Sequence, residues 1–245
     1  TSVGADLTIL EEGRELLERL EHGGALPLLT SCCPAWVKFC EERYPEFAPN
    51  ISTCRSPHQM LGAIFRRAFR DDPAAAGKRL VSVSIMPCAA KKAEILRPES
   101  ATGGVQDVDY VISAAELPGL IDRLGIDVRA LEPRPADPPY SAQTGSGVIF
   151  GASGGVLESV LRCLADDAGG TLRELGVRAG EDLREFTLEV NGRTVRAAVT
   201  SGLKRAADLL EEIKRGSVRY DVVEIMACPG GCMMGGGQPP MDPWA

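Results

Sequence analysis

Eight cysteines punctuate this chain of 245 residues, at Cys32, Cys33, Cys40, Cys54, Cys88, Cys163, Cys228 and Cys232. The densest groups stand in loops rich in proline and glycine. The first residues, Thr1-Ser-Val-Gly-Ala-Asp, lack a basic segment followed by an apolar one, so no secretion signal is visible and a cytoplasmic location is expected. In that setting thiols read as metal ligands or reactive groups before they read as disulfides. Cys33, Cys88, Cys228 and Cys232 come from three separated loops and suffice for a four-iron cubane, whose irons take one thiolate each. Structural zinc also takes four thiolates. Its ligands usually come as two close pairs, whereas Cys33 and Cys88 are far apart and flanked by proline.

The elements that must position these loops alternate in type. Leu7, Ile9, Leu10, Leu16, Leu17 and Leu20 recur at helical spacing and predict an amphipathic helix over residues 6–20. A short apolar run, Ala25 to Leu29, leads directly into Thr-Ser-Cys-Cys-Pro. Helices are expected over 35–43 and 57–70, the second entered through Ser56-Pro57. Leu80 to Ile85 alternates as a strand and stops at Met86-Pro87-Cys88, and Val108 to Ile112 is a second strand before a helix near 114–124. Glu132 to Ser146 reads as a proline-rich loop, and the glycines from Gly151 to Gly155 open a helix reaching about Leu164. Phe186–Val190 and Thr194–Val199 flank Asn191-Gly192, a hairpin signal. A helix over Leu203–Lys214 and a strand from Tyr220 to Ile225, ending at Met226-Ala-Cys228, complete the pattern. This is an α/β fold with mostly parallel sheets flanked by helices. Its ligand crevice is expected at the carboxyl ends of the strands, where two of them run into cysteine loops.

Composition narrows the function classes. A 44% hydrophobic and 25% charged chain is ordinary globular material. No apolar run approaches the roughly 20 residues of a membrane-spanning helix. A formal charge of −7, with basic residues gathered only locally as at Arg66, Arg67 and Arg70, argues against nucleic acid as a partner.

Three segments carry a family resemblance: Thr30-Ser-Cys-Cys-Pro-Ala-Trp36, Met86-Pro-Cys-Ala-Ala-Lys-Lys-Ala-Glu94 and Glu224-Ile-Met-Ala-Cys-Pro-Gly-Gly-Cys-Met-Met-Gly-Gly-Gly-Gln-Pro239. In sequence and order they resemble the signatures of the [FeFe]-hydrogenase catalytic domain. Phe150-Gly-Ala-Ser-Gly-Gly-Val156 and Ile51-Ser-Thr-Cys-Arg-Ser-Pro57 are similar to further family segments, so the likeness covers residues 1–245 as one catalytic core. Within it, residues 1–79 form a helical part with the first motif and 80–245 an α/β part with the other two. The resemblance implies an H-cluster: a [4Fe-4S] cluster held by Cys33, Cys88, Cys228 and Cys232, with the Cys232 sulfur bridging to a di-iron unit that carries CO, cyanide and a bridging dithiolate. It implies reversible interconversion of protons, electrons and hydrogen, a ferredoxin-type carrier, and maturation proteins that supply the di-iron unit.

Further roles follow from the same resemblance. Lys91 matches the cation that bonds a cyanide, a charge-assisted contact. Met86, Met226 and Phe150 match side chains packed around the di-iron unit; outside these motifs each would be ordinary core filler. The glycines at 230, 231 and 235–237 would let backbone approach the cluster closely. Cys32 matches a thiol that stands beside the dithiolate without binding iron. Glu12, Glu15 and Arg19, spaced to share one helix face, match with Ser52 a proton relay to solvent, although such stripes are more often solvated surface.

Some features depart from the family pattern. A lobe that relatives carry upstream, and their ferredoxin-like extensions, have no counterpart here. The expectation is therefore a truncated piece, a subunit completed by a second chain, or a minimal enzyme. His58 stands where relatives commonly have Gln and reads more readily as a satisfied structural residue, His22 as a loop residue, and Met234 as a change in the cubane's surroundings. Cys40, Cys54 and Cys163 match no ligand and read as buried apolar residues. Two other functions share this fold. One is a hydrogen sensor, which needs an attached signalling module. The other is an iron–sulfur assembly or scaffold relative, which would carry a different cysteine set.

Overall fold

The computed structural model describes residues 1–137, 140, 142–167, 183–190 and 192–239. In chain order its regular elements are α1 (Ser2–His22), β1 (Leu28–Leu29), α2 (Pro34–Arg43), α3 (Pro57–Asp71), β2 (Val83–Met86), α4 (Lys91–Glu94), β3 (Ala101–Thr102), β4 (Val105–Gln106), β5 (Tyr110–Ser113), α5 (Leu117–Arg123), α6 (Gly145–Ile149), α7 (Gly155–Asp167), β6 (Leu183–Val190), β7 (Arg193–Ser201), α8 (Leu203–Lys214) and β8 (Val222–Met226). Proline occupies the first turn of both α2 and α3, where its missing N–H costs nothing.

One sheet runs β1-β8-β7-β6. β8 is parallel to both β1 and β7, and β6 closes the sheet as an antiparallel hairpin on β7. All five residues of β8 are buried, as a central parallel strand requires when both faces are covered. On one face Leu16 and Leu20 of α1 and Leu157 and Leu161 of α7 pack on Val195, Ala197, Val222 and Met226. On the other, Trp36 and Cys40 of α2 and Leu209 and Leu210 of α8 pack on Leu29, Ala198, Val223 and Ile225. Each fully buried leucine contributes on the order of 2 kcal/mol, so the helices are locked onto the sheet that carries two cysteine loops. A second, parallel pair joins β2 to β5, with Val83 beside Tyr110 and Met86 beside Ser113. The three parallel pairings confirm the expected α/β class.

Details differ from the sequence reading. β2 begins at Val83 rather than Leu80, and its polarity is inverted: Ser82 and Ser84 are buried, whereas Val81, Val83 and Ile85 are 47%, 51% and 49% exposed. The inward serine has a buried partner, since His58 lies against Ser84. Strand β5 starts at Tyr110 rather than Val108, and α6 occupies residues assigned partly to the proline-rich loop, with the Thr144 hydroxyl capping it through Gly147 N. The short β3–β4 hairpin was not foreseen. His22 ends α1 instead of lying in a loop. The hairpin signal holds for both flanking strands; Asn191 itself, like Pro138, Pro139 and Ser141 of the loop, lies outside the described residues.

Candidate active site

Three cysteine loops leave the carboxyl ends of parallel strands. β1 leads to Cys32 and Cys33, β2 to Cys88, and β8 to Cys228 and Cys232. β1 belongs to the first eighty residues yet pairs with β8, so two of the loops depart from one sheet edge. The first is pinned there: the Ile225 amide donates to the Thr30 hydroxyl (3.2 Å), and the Trp36 indole donates to the Thr30 carbonyl (3.1 Å). The Ala227 amide then points at Cys33 Sγ (3.4 Å). The third loop closes on the second, with Gly237 N donating to the Pro87 carbonyl at 2.9 Å. A Cβ at Gly235 would stand 2.2 Å from that carbonyl oxygen, and one at Gly237 would stand 2.7 Å from Cys88 N. Gly231, at φ +89°, also has backbone 2.5 Å from the position of a Cβ, here Ser153 N. Only glycine fits such approaches, which here are made between loops.

Electrostatics brings the four thiols into one group. Burial pushes the Cys232 thiol up to about 12; Cys33, Cys88 and Cys228 add to the rise, and the Lys91 ammonium opposes it. Burial likewise raises Cys33, against the backbone N–H groups of Ala227 and Trp36 and the Lys91 charge. Thiols this reluctant to ionise in a protein cavity are deprotonated outright by coordination to a cation. Among the described residues no three His, Cys, Asp or Glu side chains converge on a single-ion position. A soft, all-thiol donor set spread over three loops fits a cubane.

Beside the thiols, Cys32, Lys91, Met86, Met226 and Phe150 are all buried. Cys32, Phe150 and Met226 share one apolar cluster, against which Cys232 packs. Lys91 is 3% exposed, and its ammonium donates to the Cys32 carbonyl (3.0 Å) and to both oxygens of Glu94 (3.0 and 2.9 Å). Burial holds the Cys32 thiol well above its ordinary value, and the Glu12, Cys232, Cys33 and Glu224 charges add to that.

A polar line runs outward from Cys32. The Glu12 carboxylate has no exposure and no hydrogen-bond partner. Its burial raises it to about 7; Ser52 and the Ser31 backbone oppose the rise without reaching bonding distance, and Glu15 and Glu224 reinforce it. Ser52 Oγ donates to Glu15 Oε2 (2.8 Å), and Arg19 Nη2 donates to Glu15 Oε1 (2.6 Å). Arg19 is held in turn by the carbonyls of Ala25, Pro49, Asn50 and Ile51. The Arg19 and Glu15 side chains are 12% and 14% exposed, so the line reaches the edge of solvent.

Some residues depart from the sequence reading or escaped it. Cys40 is buried as expected and Cys163 half-buried against the core, but Cys54 is half-buried with its thiol 3.7 Å from Glu15 Oε2. Glu94 was overlooked, although it stands three residues after Lys91, one helical turn away. Glu224 was overlooked too; an acidic residue amid the valines and isoleucine of β8 was the available signal. Its oxygens accept from Gly154 N (2.6 Å) and Leu157 N (2.8 Å) at the start of α7, and burial raises it to about 7.

A family model described as the iron-only hydrogenase large subunit, C-terminal domain, matches residues 1–236. The chain belongs to the iron-only hydrogenase large-subunit family. Among curated proteins it is 41% identical to the periplasmic [Fe] hydrogenase large subunit of Nitratidesulfovibrio vulgaris, over 98% of this chain and 59% of that protein. It is 35% identical to cytosolic iron-sulfur assembly component 3 of Mus musculus, over 97% of this chain and 53% of that protein. An apo [FeFe]-hydrogenase variant from Chlamydomonas reinhardtii matches it at a TM-score of 0.82 and 35% identity, over 98% of this chain and 69% of that one. This member of the iron-only hydrogenase family thus spans somewhat over half the length of these curated relatives. Among its described residues no helix is long and apolar enough to cross a membrane.

Proposed function

We propose that the chain carries the catalytic centre of an [FeFe]-hydrogenase, interconverting protons, electrons and molecular hydrogen at an H-cluster. What supports the reading above all is the row of polar groups that starts at Cys32 beside the thiols and runs through the buried, unbonded Glu12 to the hydrogen-bonded Ser52, Glu15 and Arg19 at the edge of solvent. A protein that only stored or transferred a cubane would have no use for it. Cys33, Cys88, Cys228 and Cys232 would hold the [4Fe-4S] cluster, and the Cys232 thiolate would also join a di-iron unit with CO, cyanide and dithiolate, supplied by maturation proteins. When bound, that group supplies redox chemistry on hydrogen at iron.

The chain's own residues then bind, shield and move protons. Lys91 offsets the negative charge of the centre from a buried position, where a charge acts more strongly than in water. Met86, Met226 and Phe150 keep water from it. Cys32, neutral because it is buried, carries a proton between the centre and Glu12. With a value near 7, Glu12 both accepts and releases protons at neutral pH. The Ser52 hydroxyl hands the proton to Glu15, and Arg19 keeps Glu15 aimed. Electrons arrive from a ferredoxin-type carrier at the third loop, where Met233 and Met234 are exposed next to Cys232.

An assembly role is the second reading, favoured by the likeness to cytosolic iron-sulfur assembly component 3. Hydrogen evolution per assembled cofactor, driven by a reduced one-electron carrier, separates the two. The hydrogenase reading expects turnover that Cys32→Ala abolishes while the cofactor stays in place. A fully loaded protein without turnover, unchanged by Cys32→Ala, overturns it.

A further inference from the structure

Lys91 is one end of a buried chain of side chains that continues through Glu94 and His58 to Ser84. His58 Nε2 contacts Glu94 Oε2, and His58 Nδ1 lies 3.0 Å from Ser84 Oγ. Glu94 takes the Lys91 ammonium on both of its oxygens. The four residues come from separate places: the first turn of α3, the inner face of β2, and the two ends of α4. His58, Ser84, Lys91 and Glu94 are all buried.

Hydrogen-bond chemistry fixes the sense of this chain. A carboxylate only accepts, so His58 carries its proton on Nε2 and donates to Glu94; Nδ1 then accepts from the Ser84 hydroxyl. Burial, which lowers the His58 value, keeps the ring in that neutral form. Burial alone would raise the Glu94 carboxyl, but Lys91 and then His58 outweigh it and hold it at about 2, so it stays charged. Lys91 in turn lies against the first cysteine loop, its ammonium donating to the Cys32 carbonyl (3.0 Å) one residue before Cys33, and its charge favours the thiolates of Cys33 and Cys232. Glu94 opposes that action, because its negative charge sits against the same ammonium.

We propose that His58 is a positioning residue for the metal centre: by donating to Glu94 it sets how that carboxylate meets Lys91, and so how much of the Lys91 charge reaches the cubane thiolates. The proposal rests on the reading of Cys33 and Cys232 as cubane ligands and of Lys91 as their cation. A positive charge near the thiolates stabilises the reduced, more negative cluster and raises its potential. Taking the His58 donor away concentrates the Glu94 charge on Lys91 and lowers the potential. Glutamine at 58 retains an N–H to donate, whereas leucine has none.

The test is an anaerobic redox titration of the cubane-loaded chain, followed by electron paramagnetic resonance of the reduced cluster. Lys91→Met is expected to lower the midpoint potential. His58→Leu should shift it the same way by a smaller amount, His58→Gln should bring most of it back, and Ser84→Ala should fall between the wild type and His58→Leu. If Lys91→Met shifts the potential and His58→Leu does not, His58 is only a satisfied buried residue and the proposal is wrong. If Lys91→Met itself changes nothing, the reading of Lys91 fails and takes the proposal with it. Should His58→Leu not fold, Ser84→Ala decides, and an unshifted potential there overturns the proposal.

Discussion

Replacing Glu12 by glutamine removes a buried ionisable group while keeping its shape. The carboxyl stands at about 7 in the fold against 4.5 in the open chain, chiefly because it is fully buried. A group raised in this way stabilises the fold in its protonated form; that contribution is complete below about 4.5 and is lost as pH rises through about 7. The ionised carboxylate then costs on the order of 3 kcal/mol at pH 8 and about 1 kcal/mol at pH 5.5. Glu12→Gln should therefore gain up to about 2 kcal/mol on the wild type between pH 5.5 and pH 8. For a chain of this size that is a relative rise in Tm of roughly 4–8 °C. Glu224 is raised to a similar value but is present in both proteins, so its direct effect cancels in the comparison. Circular dichroism melts of the metal-free chain at both pH values read the difference. Parallel behaviour of the two proteins, or a gain toward low pH, would refute the placement of Glu12 as a buried, proton-holding carboxyl.

Further outcomes follow from the same geometry. Cys32→Asp should keep part of the turnover lost in Cys32→Ala and move the optimum to lower pH, since an ordinary carboxyl titrates near 3.9 and a thiol near 8.5; a pH–rate profile with unchanged limbs contradicts this. Ser52→Ala breaks the link to Glu15 and should slow hydrogen evolution at least tenfold, as loss of one proton-transfer group does; iron content should stay at the wild-type level, and an unaltered rate would remove Ser52 from the path. Gly237→Ala would push a Cβ against Cys88 N, so iron per chain should fall sharply, whereas Gly236→Ala, with nothing within 4 Å, should hold its iron.

Much of this architecture was legible because strands that end in cysteine loops leave two signals in the same place. The boundaries of α2, α3, α7, α8 and β8 fall within three residues of the expectation, since proline starts, the glycine-rich turn and apolar runs mark them. What was illegible lies where the site overrides the pattern. Helical spacing put Leu10 on the inner face of α1, yet it is 55% exposed while Glu12 on the same helix has no exposure. A buried carboxylate on this face breaks the apolar rule, the kind of local exception that functional sites make. The inversion of β2 has the same origin, because Ser84 faces His58 and Val83 and Ile85 turn outward. Residues joined only in three dimensions, such as His58 with Glu94, carry no mark in spacing at all.

Infrared spectroscopy of the protein after maturation separates a di-iron centre from a lone cubane, because CO and cyanide ligands absorb where polypeptide does not. The hydrogenase reading expects CO and cyanide stretches in the wild type, their loss in Cys232→Ala, which removes the thiolate that would join the two metal units, and their retention in Cys163→Ala. A protein that shows the resonance signal of a reduced cubane but no CO or cyanide bands, in the wild type as in Cys232→Ala, would contradict it.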